Sequence, residues 1–258
     1  MIQLFSGTPG SGKSLHAVHE IEKSLKFGQN VISSMNVDTD LCFYNGFQRF
    51  LFNQFGKRPK KFKRDNRQNH FHYIDNRNLS PEYLYSFAAR YHTEGREHQT
   101  VLYIDECVSL FSPTVIGDNP KLWNKWDDFF RLHRHLGYDI VLIPQSTKLI
   151  SRKVVEYCEY EVRHYNKKNQ GLFGFFFSLA VGGFFSYSTY WRGIKSKPLD
   201  SGFFRYRPLY GAMYNSYVMF GDALKPYLKE WEQKKILLSR LCGQLRQISR
   251  DKELKGVV

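Results

Sequence analysis

Residues Gly7 to Ser14 read GTPGSGKS and directly follow an apolar run, Ile2 to Phe5. A triphosphate crowds several negative charges together. A ring of backbone N–H groups at the positive end of a helix can hold it, provided glycines let the backbone come close. Gly7, Thr8, Pro9, Gly10, Ser11 and Gly12 supply such a ring. Lys13 is expected to reach the β and γ phosphates as a point charge, and the Ser14 hydroxyl is expected to be a ligand of Mg²⁺. An isolated glycine-rich turn would say little. The complete GxxxxGKS pattern between a strand and a helix is a specific signal for a nucleoside triphosphate.

A second pair of groups belongs to the same chemistry. Val101 to Ile104 is a mostly apolar strand that delivers two adjacent carboxylates, Asp105 and Glu106, to its C-terminal end. Ligands of open parallel sheets bind at that edge. Asp105 is expected to support Mg²⁺ directly or through water, and Glu106 to orient or activate the attacking water. Gln145 closes a later strand, where an amide can hydrogen-bond both a water and the γ-phosphate as a sensor, or be simply a loop amide. Arg131, Arg134, Arg152 and Arg163 are candidates to neutralise charge on the transferred phosphoryl group, in cis or from a neighbouring subunit. Spacing does not choose among them.

The elements that must position these residues follow from periodicity. Leu15, Val18, Ile21 and Leu25 recur at helical spacing over Lys13 to Lys26, and Gly28 is expected to cap that helix. A strand at Asn30 to Ser34 completes a βαβ unit with parallel strands. Residues 37–69 read as irregular, and His70 to Ile74 as a strand. Ser80-Pro81-Glu82 opens a helix running to about Tyr91. Beyond the strand Thr100 to Ile104 lie a loop with Pro113 and Pro120 and a helix carrying Leu122, Trp126, Phe129, Phe130 and Leu132. The strand Asp139 to Ile143, a short helix from Lys148 to about Tyr157 and a strand Tyr160 to His164 follow. The fold class is α/β, a P-loop NTPase with a mostly parallel central sheet. The expected organisation is a nucleotide-binding core over residues 1–168, a β-rich extension over 169–220 and a basic amphipathic helical tail over 221–258.

The chain has 258 residues and a formal net charge of +14, which favours a polyanionic partner such as nucleic acid or an anionic membrane face. Cys42, Cys107, Cys158 and Cys242 are scattered singly, which argues against a disulfide framework or a zinc site and fits a reducing cytoplasm. No secretory signal is expected, because the first apolar run leads straight into the glycine-rich loop. The tract Lys57 to Arg64, extended by Arg67, is the densest basic stretch and a candidate for DNA phosphates or a solvated loop. Residues 171–191 carry no charge and are long enough to nominate a membrane span, but their glycines and aromatic residues favour a β-hairpin turning near Gly182-Gly183. From Pro226, the stripe Trp231, Leu238, Leu241, Leu245 and Ile248 with lysines and arginines on other faces suits a membrane surface, a partner or the chain's own domain.

The opening IQLFSGTPGSGKSLHAV, the strand VLYIDEC, the run FRLHRHLGYDIVLIPQS and the later LYGAMYNSY together resemble the zonular occludens toxin-like family, which includes inner-membrane assembly ATPases of filamentous bacteriophages. The resemblance implies an ATPase of the FtsK and HerA kind that uses ATP and Mg²⁺. It implies a homo-oligomeric ring, hexamer or pentamer, on the cytoplasmic face of the bacterial host's inner membrane. Phage coat and assembly proteins and single-stranded DNA are the implied partners. It assigns Gly7, Gly12, Lys13 and Ser14 to nucleotide, Asp105 and Glu106 to metal and water, Gln145 to sensing, and favours Arg134 among the arginines. Family members usually continue into a membrane helix and a domain beyond it; no such helix is expected after residue 220 here. The expectation is therefore a cytoplasmic part of a longer protein, or attachment through other subunits. A nucleotide or small-molecule kinase, and a scaffold that binds nucleotide with little turnover, are the rival readings.

Overall fold

A computed structural model describes residues 1–56, 58, 65–169, 183–193 and 197–214. Contacts divide the chain into Met1–Tyr214 and Asn215–Val258. The amphipathic tail expected after Pro226 lies outside the described residues, as do most of the basic tract and residues 170–182.

The strands β1 (Ile2–Ser6), β2 (Asn30–Ser33), β3 (Phe71–Tyr73), β4 (Thr100–Asp105), β5 (Tyr138–Ile143), β6 (Tyr160–Asn166), β7 (Phe184–Trp191) and β8 (Asp200–Arg205) form one sheet in the order β3-β2-β4-β5-β1-β6-β7-β8. From β3 to β6 every pairing is parallel; β7 and β8 add antiparallel strands at one edge. Central parallel strands are covered on both faces and read as continuous apolar runs. Accordingly β5 is buried at every position, and β4 at every position but Asp105.

Alternate residues of these strands feed two cores. Phe5, Val31, Val101, Tyr103, Val141 and Ile143 face the helices α1 (Lys13–Lys26) and α2 (Gly46–Phe55) and the short α8 (Pro208–Met213). Ile2, Leu4, Leu102, Ile104, Ile140 and Leu142 face α3 (Pro81–Tyr91) and α6 (Pro120–Leu132). The short helices α4 (Val108–Phe111), α5 (Pro113–Asp118) and α7 (Arg152–Val155) contribute Phe111, Ile116 and Val154 to this second core.

Local signals explain the helix ends. Ser80 Oγ accepts from Tyr83 N–H with Pro81 at the first helical position, and α3 ends at Tyr91 as the sequence reading expects. Beyond α1, Gly28 takes φ +74°; its N–H donates to Leu25 O and that of Gln29 to Ser24 O, a Schellman closure.

Several differences from the sequence reading have physical causes. Residues 37–69 are not irregular throughout, because Asn45 and Gln48 form a reciprocal capping box that starts α2. The loop around Pro113 and Pro120 contains α4 and α5, each proline opening a helix rather than preventing one. On α6 the buried stripe is Trp123, Trp126, Phe129 and Phe130, whereas Leu122 and Leu132 are exposed. The first half of the hairpin expected around Gly182-Gly183 lies outside the described residues. Its second half is β7, whose two edges are taken by β6 and by β8. Phe184–Trp191 is thus a sheet strand and no part of a membrane helix; among the described residues no helix is long and apolar enough to cross a membrane.

The two glycines Gly28 and Gly46 separate backbone conformation from space, because a Cβ at either meets nothing within 4 Å. Gly28→Ala is expected to lose about 1–2 kcal/mol of stability because of its left-handed backbone. Gly46→Ala, at a helical position without that constraint, is expected to gain about 0.4–1 kcal/mol. Urea denaturation of the two variants checks the opposite signs.

Candidate nucleotide-binding site

In the sheet order β5 lies between β1 and β4, so the ends of three adjacent parallel strands carry the glycine loop, Gln145 and the Asp105-Glu106 pair side by side. The loop adopts left-handed backbone at Gly7 (φ +142°), Gly10 (+74°) and Gly12 (+92°). Space matters as well: a Cβ on Gly7 would lie 2.7 Å from His164 O, and one on Gly12 would lie 2.8 Å from a ring carbon of Phe185. Asn166 Nδ2 donates to Gly10 O at 3.1 Å. Gly12 precedes α1 with no side-chain cap, and the first turn holds no acid. The N-terminal amides and the positive end of α1 are thus open to an anion.

Lys13 Nζ donates to Gly7 O (2.9 Å) and Thr8 O (3.2 Å). Burial lowers its pKa, against the opposing pull of Asp105. Burial likewise raises the pKa of Asp105, although the Glu106 N–H and the Tyr214 hydroxyl favour its charged form. Ser14 Oγ lies 3.5 Å from Asp105 Oδ2. The hydroxyl and the carboxylate converge as an all-oxygen donor set, which fits a hard divalent cation such as Mg²⁺. Ser11 Oγ is buried without a hydrogen-bond partner, an orphan polar atom inside the loop.

Glu106 is exposed and one of two non-glycine residues with positive φ (48°) among the described residues. Such a conformation costs on the order of 1 kcal/mol or more and persists where surroundings impose it. Here Ser109 N–H and Oγ both bind Glu106 O, and Glu106 N–H binds Asp105 Oδ1. The Glu106 carboxylate accepts from Gln145 Nε2 at 3.4 Å. Two residues read as water-handling groups therefore meet.

The arginines separate. Arg134 precedes β5 and is paired with Glu159, which precedes β6, so it sits at the N-terminal edge of the parallel strands. The nucleotide loop is at the other edge, and strands of six residues span about 20 Å. Arg134 does not reach its own chain's site. Arg131 is paired with Asp127 at 2.6 Å. Arg163 pairs in register with Ser6, immediately before the loop, and its guanidinium binds Glu161.

Sequence reasoning missed several contributors. Ser34 Oγ accepts from Asp105 N–H (2.8 Å), and Asn76 Nδ2 donates to Asp105 O (2.8 Å). Both follow strands at the same sheet edge, which is the signal that could have found them. Tyr214 Oη donates to Asp105 Oδ2 at 3.1 Å; its segment LYGAMYNSY carries part of the family resemblance, but nothing in it points to Asp105. The β7–β8 pair also walls the site: His16 of α1 stacks on Phe5, Tyr187 and Phe204 at centroid distances of 5.3, 4.5 and 5.1 Å.

The profile of the zonular occludens toxin (Zot) family matches residues 1–207. The chain belongs to that family. No curated protein matches it. Among solved structures, this Zot-family chain is similar to the N-terminal domain of zonular occludens toxin from Neisseria meningitidis, with 15% identity, 83% of this chain and 98% of that chain covered, and a TM-score of 0.44. It is also similar to B204, the DNA-packaging ATPase from Sulfolobus Turreted Icosahedral Virus (14% identity, 79% and 96% covered, TM-score 0.44). A DnaB-like replicative helicase gives 10% identity, 81% and 57% covered, and a TM-score of 0.49. The chain's own sheet and loop make it a P-loop NTPase.

Behind the loop, His164 Nδ1 faces Ser6 O (3.2 Å) and its Nε2 faces His16 Nδ1 (2.8 Å). Burial first, then the neighbouring His16 and Lys13, lowers the His164 pKa to about 3 from 6.5. A depressed folded-state pKa means that the unfolded chain binds the proton more readily. Stability is therefore full above 6.5 and falls as pH drops towards 3. Going from about pH 7.5 to about pH 5 is expected to remove roughly 2 kcal/mol through this residue. His164→Phe is expected to flatten that loss in urea melts, and an unaltered pH dependence would contradict it.

Proposed function

We propose that this chain is the ATP-hydrolysing motor of filamentous-phage assembly and secretion, working as a homo-oligomeric ring at the cytoplasmic face of the host inner membrane. Family membership supports the setting. The observation that carries the activity is the convergence, on adjacent strand ends, of an uncapped helix start, Lys13, Ser14, Asp105, Glu106 and Gln145.

In this reading the loop amides and Lys13 hold the phosphates, and Lys13 exchanges the carbonyls of Gly7 and Thr8 for phosphate oxygens. Ser14 and Asp105 would hold Mg²⁺, which supplies positive charge to the β and γ phosphates. Glu106 accepts a proton from a water whose oxygen bonds the γ-phosphorus as the bond to the β–γ bridging oxygen breaks, leaving ADP and inorganic phosphate. Gln145, against Glu106, orients that water and registers the γ-phosphate. Arg134, at the far edge of its own sheet, could neutralise charge only at a neighbouring subunit's site.

The chain's charge of +14 supports a polyanionic cargo, single-stranded DNA. A cavity of about 670 Å³ between α2 and the segment after β8 is lined by Phe50, Tyr206, Arg205 and Arg207, among others. Both arginines are exposed and, among the described residues, make no ion pair. Cations beside aromatic rings suit a single strand, whose phosphates and bases they bind together.

Lys13→Ala is expected to abolish nucleotide binding. Glu106→Gln is expected to keep binding but lose at least about 100-fold in kcat, the scale of general base catalysis, in a phosphate-release assay. Turnover unchanged in Glu106→Gln would favour another base, and phosphate release only with an added acceptor would favour the kinase reading. For DNA, R205A/R207A is expected to reduce the slope of log affinity against log salt for an oligothymidylate by about 1.4, at ~0.7 per phosphate contact. An unchanged slope would remove these arginines from the cargo path.

A further inference from the structure

The family match ends at residue 207, and Tyr214 lies beyond it, yet its hydroxyl enters the nucleotide site. Each oxygen of the Asp105 carboxylate has an assigned contact. Oδ1 accepts the N–H of Glu106 at 2.9 Å, and Oδ2 accepts the Tyr214 phenol at 3.1 Å while facing the Ser14 hydroxyl at 3.5 Å. Among the described residues, the phenol is therefore the one contact to Oδ2 that comes from outside the loop and the strand carrying the carboxylate.

Its approach is fixed by backbone and packing. Tyr214 forms an antiparallel bridge with Val37, and Asp38 N–H donates to Met213 O at 2.9 Å. Just before it, α8 packs on α1 and α2, with Leu209 and Met213 each 1% exposed. Leu209 N–H is further anchored on Asn53 Oδ1 at 3.0 Å. Tyr214 itself packs, partly buried, against the core that holds α8, so its phenol meets Oδ2 from that side.

We propose that Tyr214 is a positioning residue for the divalent cation: by donating to Asp105 Oδ2 it holds the carboxylate plane so that Oδ2 and Ser14 Oγ present one oxygen pair to the metal. The proposal rests on the nucleotide-site reading given above. Hydrogen-bonded partners of ligating carboxylates typically alter metal affinity by about 10–100-fold when removed. A phenol-to-phenyl change keeps the ring and its packing and deletes the donor alone.

The test uses the full chain and a fluorescent N-methylanthraniloyl ADP, titrated with Mg²⁺ and, separately, in EDTA. Tyr214→Phe is expected to raise the half-saturating Mg²⁺ concentration about 10-fold while leaving nucleotide affinity in EDTA unchanged. Met213→Ala, which loosens α8 but keeps the phenol, is expected to melt at lower temperature with a wild-type Mg²⁺ curve. Equal Mg²⁺ curves for wild type and Y214F, with Asp105→Asn displaced, would overturn the role of Tyr214 alone. A displacement in M213A as large as in Y214F would reduce it to fold support. Wild-type nucleotide binding indifferent to Mg²⁺ would overturn the metal assignment beneath it.

Discussion

Lys13 and Asp105 face each other near the first turn of α1, and burial works against the charge of each. Each favours the other's charge, and the remaining contacts are neutral: Lys13 leans on two backbone carbonyls, and Asp105 on hydroxyls and an amide. In the proposed function a phosphate chain meets Lys13 and a divalent cation meets Asp105. The rest of the molecule holds this pair at the mouth of the loop. Six parallel strands bury the floor beneath it, and the aromatic residues of β7 and β8 close its side against Gly12 and His16.

The order of strands turns that local imbalance into a reaction site. Neighbouring strands lie about 4.8 Å apart, so the ends of β1, β5 and β4 place the loop, Gln145 and Glu106 within one substrate's reach. Glu106 takes left-handed backbone just after the strand, and its carboxylate meets Gln145 whereas that of Asp105 meets Ser14 and Tyr214. The contact between Glu106 and Gln145 joins the proposed base to the end of a strand lying beside the loop strand. Charge elsewhere in the chain, such as Arg205 and Arg207, is on surfaces where it can meet a cargo without entering the chemistry.

Much of this was legible in the residues. The loop, the Asp105-Glu106 strand end, Gln145 and the parallel sheet follow from short-range patterns whose physics is local: glycines with left-handed backbone, apolar runs, caps such as Ser80-Pro81. What escaped depends on distant pairing. Arg134 is favoured by the family resemblance of its segment, but β5 intervenes between it and Gln145 and carries the chain from one sheet edge to the other. The aromatic residues of 184–191 suggested a strand, while its partners, β6 and β8, could not be chosen without the sheet. Tyr214 lies in a segment that carries the family resemblance, yet its pairing with Asp105 could not be read, since 109 residues separate the two. The Asn45 and Gln48 capping box is readable in the residues, within an aromatic-rich stretch that otherwise reads as irregular.

The central claim is that the Lys13–Asp105 imbalance is completed by a metal-bound triphosphate. A crystal structure of the Glu106→Gln variant with ATP and Mg²⁺ tests it most directly. The account predicts that Lys13 Nζ leaves Gly7 O and Thr8 O for phosphate oxygens, with the cation between Ser14 Oγ and the Asp105 carboxylate. Nucleotide bound elsewhere, with Lys13 still on the two carbonyls, would contradict it.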